Sequence, residues 1–248
     1  MSTEKVVSQA EWLKVRKELL QKEKEFTRLR DEISARRRQL PWVKVEKTYL
    51  FEGPDGAIKL IDLFNGRTQL FIYHFMLGPG WKEGCPSCSY LADTFDAVNI
   101  HMPHRDTAFA AISRATWPEI EAFKKRMQWR FPWFSSFGTD FNQDFRVSFT
   151  KEEMQSGEPI YNFGTIPFPS EEAPGASTFI RRGHDVFHTY STYSRGLDIL
   201  IPTYNFLDMT AKGRDEDSLP HSMAWVRHHD RYVDNKMVNI GSLAKSSA

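Results

Sequence analysis

One stretch constrains this chain more than any other. The apolar run Leu70-Phe71-Ile72-Tyr73-His74-Phe75-Met76-Leu77 leads through a Gly78-Pro79-Gly80 turn to Gly84-Cys85-Pro86-Ser87-Cys88, which holds the only two cysteines. The run reads as a buried strand, and Ser89–Val98 behind the cysteines reads as a helix. Strand, turn, Cys-x-x-Cys and helix together form the setting in which that spacing signals redox chemistry. Pro86 suits a first helical turn, where no backbone N–H is needed. Cys85 then falls at the helix N-cap, where free N–H groups and the helix dipole favour a thiolate. Cys88, one turn on, lies on the same side and is placed to close a disulfide to it.

Two other readings of the pair stay open. Half of a zinc site is one, with His74, His101 and His104 as candidate partners, although a structural zinc wants four ligands and no second cysteine pair exists. Two inert, buried thiols are the other, since free cysteine is often a small core residue. A Gly-Cys-Pro sequence at a strand-to-helix turn argues against inert packing. Dithiol–disulfide chemistry leads, with no metal and no cofactor.

The flanking sequence supplies the frame. Ser8-Gln9-Ala10-Glu11 is a capping box, and the helix it opens runs to about Gln39, ahead of Pro41. Trp12, Leu19, Phe26, Ile33 and Leu40 recur every seven residues along it. Such a seam requires a cover, either its own domain or a second copy in a homodimer. From Trp42 the pattern shortens. Val43–Lys47 alternates as a strand does, and Tyr49–Phe51 and Ile58–Leu60 flank a Gly53-Pro54-Asp55-Gly56 turn. Asp62–Gly66 reads as a helical turn, Thr107–Ile112 as a second central strand and Trp117–Met127 as an amphipathic helix. Trp133–Phe137 reads as a third strand, Ser177–Ile180 with Val186–Tyr190 as a closing hairpin, and Gly196–Leu207 as a last helix. Strands alternating with helices and then a hairpin predict an α/β fold, a three-layer sandwich around a mixed sheet.

The remaining expectations are broader. Hydrophobic residues make up 40% and aromatics 14%, enough for a core, and the net charge of +1 points to neither nucleic acid nor an anionic membrane. Arg36-Arg37-Arg38 at a helix end complements the helix dipole. Two cysteines, a charged N-terminus in Met1–Lys5 and no apolar run long enough to span a bilayer lead to the expectation of a cytoplasmic protein. The boundaries expected are 1–41 for the helical extension, 42–210 for the α/β domain and 211–248 for a C-terminal extension. Trp225, Val226 and Tyr232 are too apolar for a free tail, so that extension is expected to fold back and cover the sheet edge near the dithiol.

Several blocks then resemble known families. A β-α-β-α-β half with Cys-x-x-Cys at its first helix, followed by β-β-α, is similar to the thioredoxin fold. Ala111-Ile112-Ser113-Arg114 and Phe131-Pro132-Trp133-Phe134-Ser135-Ser136 resemble a segment of peroxiredoxin-like proteins. Tyr73–Met76, Glu83–Ser89, Ser135–Asn142, Phe187–Asp198, Gly213–Glu216 and Met223–Asp230 resemble the thioredoxin-like domain-of-unknown-function family numbered 899. The resemblance covers nearly the whole chain and implies a dithiol–disulfide oxidoreductase. In it Cys85 is the nucleophile and Cys88 the resolving thiol, and the partners are a protein or small-molecule disulfide and a reductant. It also implies a cis proline facing the dithiol, for which Pro174 is the nearest candidate. There are departures. Thioredoxins carry Trp directly before the first cysteine, whereas Trp81 lies four residues earlier. Peroxiredoxins want Thr or Ser three residues before theirs, whereas that position is Lys82. A thiol-dependent peroxide reductase and a non-catalytic scaffold therefore remain as alternatives.

Supporting candidates complete the reading. His74 is a possible base or charge partner for the thiolate, against a hydrogen-bonded core histidine. Trp81, Lys82 and Glu83 lie on the approach loop. Arg114, just past a strand end, is a candidate anion binder, against a structural salt bridge. His228 and His229 are adjacent, so their side chains diverge and one metal rarely takes both.

Overall fold

A computed structural model describes residues 5–157 and 159–232. Residues 1–4, and the 233–248 part of the expected C-terminal extension, lie outside it. The chain divides into two compact units, Met1–Trp42 and Val43–Ala248.

The first unit is dominated by one helix, α1 (Gln9–Arg38). Its start is set chemically: the Ser8 hydroxyl accepts from the Glu11 N–H, and the Glu11 carboxylate accepts from the Ser8 N–H. Arg36, Arg37 and Arg38 fill its last turn.

The second unit is built on one eight-stranded sheet in the order β1-β10-β9-β4-β5-β6-β2-β3. Its elements are β1 (Val43–Lys44), β2 (Leu50–Gly53), β3 (Gly56–Lys59), β4 (Gln69–His74), α2 (Pro86–Ala92), α3 (Phe95–His101), β5 (Thr107–Ser113), α4 (Trp117–Arg126), β6 (Trp133–Ser135), α5 (Phe141–Asp144), α6 (Lys151–Gln155), β7 (Ile160–Tyr161), β8 (Ile166–Pro167), β9 (Gly175–Arg182), β10 (Asp185–Tyr193) and α7 (Pro202–Leu207). The pair β7-β8 forms a separate small ladder. Strand β4 is central, parallel to β5 and antiparallel to β9, while β5 and β6 are parallel. The core β6-β5-β4-β9-β10, with crossover helices between its parallel strands and a hairpin closing it, is the thioredoxin-like arrangement.

The alternation of β4 sorts its side chains onto two cores. Tyr73, with Phe75 just beyond the strand, faces the layer that holds Cys88, Leu91, Ile120, Phe123 and Tyr204. Leu70 and Ile72 face the other layer, with Phe51, Leu63, Phe64 and Phe141. Edge-to-face aromatic contacts run through both layers, such as Tyr73 against Phe95 and Phe51 against Phe141.

Two expected helices differ. The helix expected over 89–98 breaks into α2 and α3 at Asp93 and Thr94, where the Thr94 hydroxyl turns back to the Leu91 carbonyl. The helix expected over 196–207 is a 3-10 turn at Ser194–Leu200 followed by α7, because Pro202 can only begin a helix.

Candidate functional site

Everything about the dithiol loop follows from how tightly it is threaded. Phe75 and Phe123 stand where a Cβ at Gly84 would lie, at 2.5 and 2.8 Å, so only glycine fits at the residue before the first cysteine. The Cys85 N–H donates to the Met76 carbonyl at 3.0 Å, which ties the loop to the end of β4. Cys85 is the N-cap of α2 and Pro86 its first residue, and the Cys85 carbonyl accepts from the Ser89 N–H and hydroxyl, each at 2.9 Å. The loop is thus pinned on both sides of a half-buried thiol.

The two sulfurs are not alike. The Cys88 thiol donates to the Cys85 sulfur, and the N–H groups of Cys88 and Ser87 and the Ser87 hydroxyl point to it as well. Together they outweigh burial and bring Cys85 down to about 7 from an ordinary 9.0. Cys88 is 1% exposed, and burial, then the neighbouring Cys85, pushes it well up. Against that, the Tyr73 hydroxyl reaches the Cys88 sulfur from the strand below, and itself stays a neutral phenol because it is buried. The arrangement gives one accessible sulfur that ionises near neutrality and one enclosed sulfur that keeps its proton.

The supporting candidates separate. His74 is not part of this site. Its Nε2 meets the Ser177 hydroxyl at 2.8 Å, and its ring stacks with Phe145 in the other layer. Burial, then His188, depresses it to about 3, so it is a neutral core histidine. Adjacent strand residues face opposite ways, and it is Tyr73 that lies on the side of the cysteines. Arg114 is a structural ion-pair residue. Its Nε donates to Glu172 at 2.6 Å and its Nη2 lies 3.5 Å from Glu171, which also accepts from the Trp81 indole at 2.9 Å. Glu172 is 1% exposed, and burial raises it to about 7 despite Arg114 and the Ser148 hydroxyl. Trp81 and Arg114 are thereby linked to each other through Glu171, and neither is among the groups that set the two sulfurs. Lys82 is exposed. Pro174 does immediately precede β9, but no described peptide bond is cis. The chain is already extended there, since Ala173 bonds back to Val147 and Gly175 pairs with His74, and a trans bond carries it straight on.

Residues His228 and Arg231 of the C-terminal block lie against the dithiol loop. His228, 2% exposed, donates from Nε2 to the Gly84 carbonyl at 2.8 Å, while its Nδ1 accepts from Arg126 at 3.3 Å. Arg126 also grips Asp230, at 2.8 and 2.9 Å, and Glu83, at 3.0 Å; Arg231 takes Glu83 as well. His229 turns the other way, to Asp93 at 2.6 Å. Trp225 packs edge-on against Tyr90 of α2, and Val226 is buried. Among the described residues no three His, Cys, Asp or Glu side chains converge as a metal site. No helix among them is long and apolar enough to cross a membrane.

Sequence reasoning missed Tyr73, Ser87 and the link from His228 to Gly84. Tyr73 shares the period-2 face of Phe71 and Phe75, but Leu70 and Ile72 make the other face equally apolar, so spacing alone does not tell which one the next helix covers.

A family model described as "Bacterial protein of unknown function (DUF899)" matches residues 1–232. No curated protein matches the chain. Among solved structures it is similar to a cysteine-to-serine mutant of PrxQ from Xylella fastidiosa, at 11% identity and TM-score 0.40, covering 64% of this chain and 89% of that one. It is also similar to the peroxidoxin BcpB of Mycobacterium tuberculosis, at 14% and 0.43, covering 66% and 95%. A third is the mitochondrial 2-Cys peroxiredoxin of Plasmodium falciparum, at 12% and 0.39, covering 68% and 94%.

Proposed function

We propose, for a chain that belongs to the DUF899 family, that Cys85 and Cys88 carry out thiol–disulfide exchange. The observation that supports this is the inequality of the two sulfurs: Cys85 is half-buried and brought to about 7, whereas Cys88 is enclosed and pushed up. The Cys85 thiolate attacks one sulfur of a substrate disulfide. The substrate S–S bond breaks, one thiolate leaves, and a mixed disulfide forms at Cys85. Cys88 then gives up its proton and attacks the Cys85 sulfur, releasing the second substrate thiol and leaving a Cys85–Cys88 disulfide. A reducing partner restores the dithiol. The substrate is a protein or small-molecule disulfide, and the cycle requires a reducing compartment such as the cytoplasm.

Cys88→Ser tests this. Treated with a disulfide substrate, it traps a mixed disulfide at Cys85, mapped by mass spectrometry, while Cys85→Ser traps little. Insulin reduction run beside peroxide consumption separates exchange from peroxide reduction. Peroxide turnover without insulin reduction would move the assignment to a thiol peroxide reductase, in which Cys85 becomes a sulfenic acid that Cys88 resolves. Equal trapping at both cysteines, or silence in both assays, would remove the exchange reading.

A further inference from the structure

Helix α1 has no buried residue. Trp12, Leu19, Phe26 and Ile33 stand seven apart on it, between 41% and 66% exposed, and Val15 and Leu29 fall three residues after the first and third of them. In heptad terms these are a and d positions, a seam with the period of a two-stranded coiled coil. Lys22 and, in the last turn, Arg36 are the polar exceptions at the d positions; a polar residue inside such a seam fixes register at some cost in stability.

The charges beside the seam say what covers it. The residue before each a position is glutamate four times over: Glu11, Glu18, Glu25 and Glu32. The residues four after each a position are Arg16, Glu23, Arg30 and Arg37. These are the g and e flanks. A g residue and the e residue five further on do not meet within one helix, where neighbours are three or four apart. They do meet across a parallel pair, where Glu11 faces Arg16, Glu25 faces Arg30 and Glu32 faces Arg37, with only Glu18 against Glu23 unfavourable. An antiparallel pair sets g against g and e against e, which places glutamate on glutamate and mostly arginine on arginine. Within one chain Arg16 reaches Glu23 at 2.8 Å, Lys22 reaches Glu25 at 2.9 Å and Glu32 takes Arg36 at 2.5 Å, contacts that exposed side chains exchange at little cost, while Glu11 also holds the Ser8 cap.

We propose that the occupant of this face is the α1 of a second copy of the chain, in parallel and in register. The full-length protein then runs in size-exclusion chromatography with light scattering at twice the chain mass. The double variant Glu25→Arg/Glu32→Arg makes both flanks of the last two heptads basic and is expected as a monomer. Arg30→Glu/Arg37→Glu makes both acidic and is also expected as a monomer. Mixing the two gives a heterodimer, because basic and acidic flanks then face each other on both sides of the seam. Circular dichroism checks that α1 stays helical in each. For orientation, Trp12→Cys in a Cys85→Ser/Cys88→Ser background forms an interchain disulfide on mild oxidation; antiparallel helices would hold the two positions ~30 Å apart. A monomeric native protein, packing of α1 on its own chain included, overturns the proposal. So do charge variants that stay dimeric, and so does a dimer that fails to cross-link at position 12.

Discussion

Cys85 owes its acidity first to a hydrogen bond from the Cys88 thiol. At pH 7 a thiol that ionises at about 7 is about half thiolate, whereas one at the ordinary 9.0 is about 1% ionised. That is a gain of ~50-fold in attacking species. A less basic thiolate is also a poorer nucleophile, and two units at a Brønsted slope of ~0.4–0.5 return ~6–10-fold of the gain. Cys85 should therefore react with iodoacetamide ~5–8-fold faster than an ordinary thiol at pH 7. Above pH 10, where both are ionised, it should react ~6–10-fold more slowly. Cys88→Ala deletes the donor. A hydrogen bond to a charged acceptor is worth ~1.5–3 kcal/mol, so the midpoint of the alkylation profile should rise by ~1–2 pH units. Cys88→Ser keeps a donor and should leave the midpoint near 7. The assay is the rate of carbamidomethylation at Cys85 of the reduced protein from pH 5 to 11, read site by site by mass spectrometry. A native midpoint near 9, or one that Cys88→Ala does not move, would refute the account of the site.

Two further outcomes are expected. Tyr73→Phe removes the hydroxyl that reaches the Cys88 sulfur, so the resolving step should slow by ~10-fold while the fold loses only ~1 kcal/mol; acid-quenched mixed disulfide should persist correspondingly longer, and an unchanged lifetime would count against the contact. Glu172 is raised to about 7 by burial, so between its unfolded value near 4.5 and about 7 the folded chain binds more protons than the unfolded one and stability falls as pH rises, by ~2–3 kcal/mol across the window; Glu172→Gln should flatten that slope in urea unfolding at pH 5 and pH 7.

How much of this was legible in the sequence depends on distance along the chain. The Ser8 capping box, the β4–Cys–α2 unit, the hairpin of β9 and β10 and the N-cap position of Cys85 are local patterns, and local physics dictates them. The choice between Tyr73 and His74 is local too, but it turns on which face the next helix covers, which no spacing within β4 reveals. Arg114 and Glu172 are 58 residues apart, and the polarity of each alone suits a ligand site as well as an ion pair. The apolar residues Trp225 and Val226 showed that the C-terminal block must fold back. They did not show that a histidine beside them would reach the carbonyl of Gly84.

That last contact joins residues 144 apart. At ~5–20 residues per second, a ribosome needs ~7–30 s after completing Gly84 before it has made His228. Only in the last part of that interval, the ~2–7 s between Tyr193 at the end of β10 and His228, do the whole sheet and both cysteines exist without the imidazole that donates to the Gly84 carbonyl. The dithiol loop is consequently closed late in biogenesis. A nascent chain thus carries the carbonyl beside Cys85 without the histidine donor that the finished protein supplies.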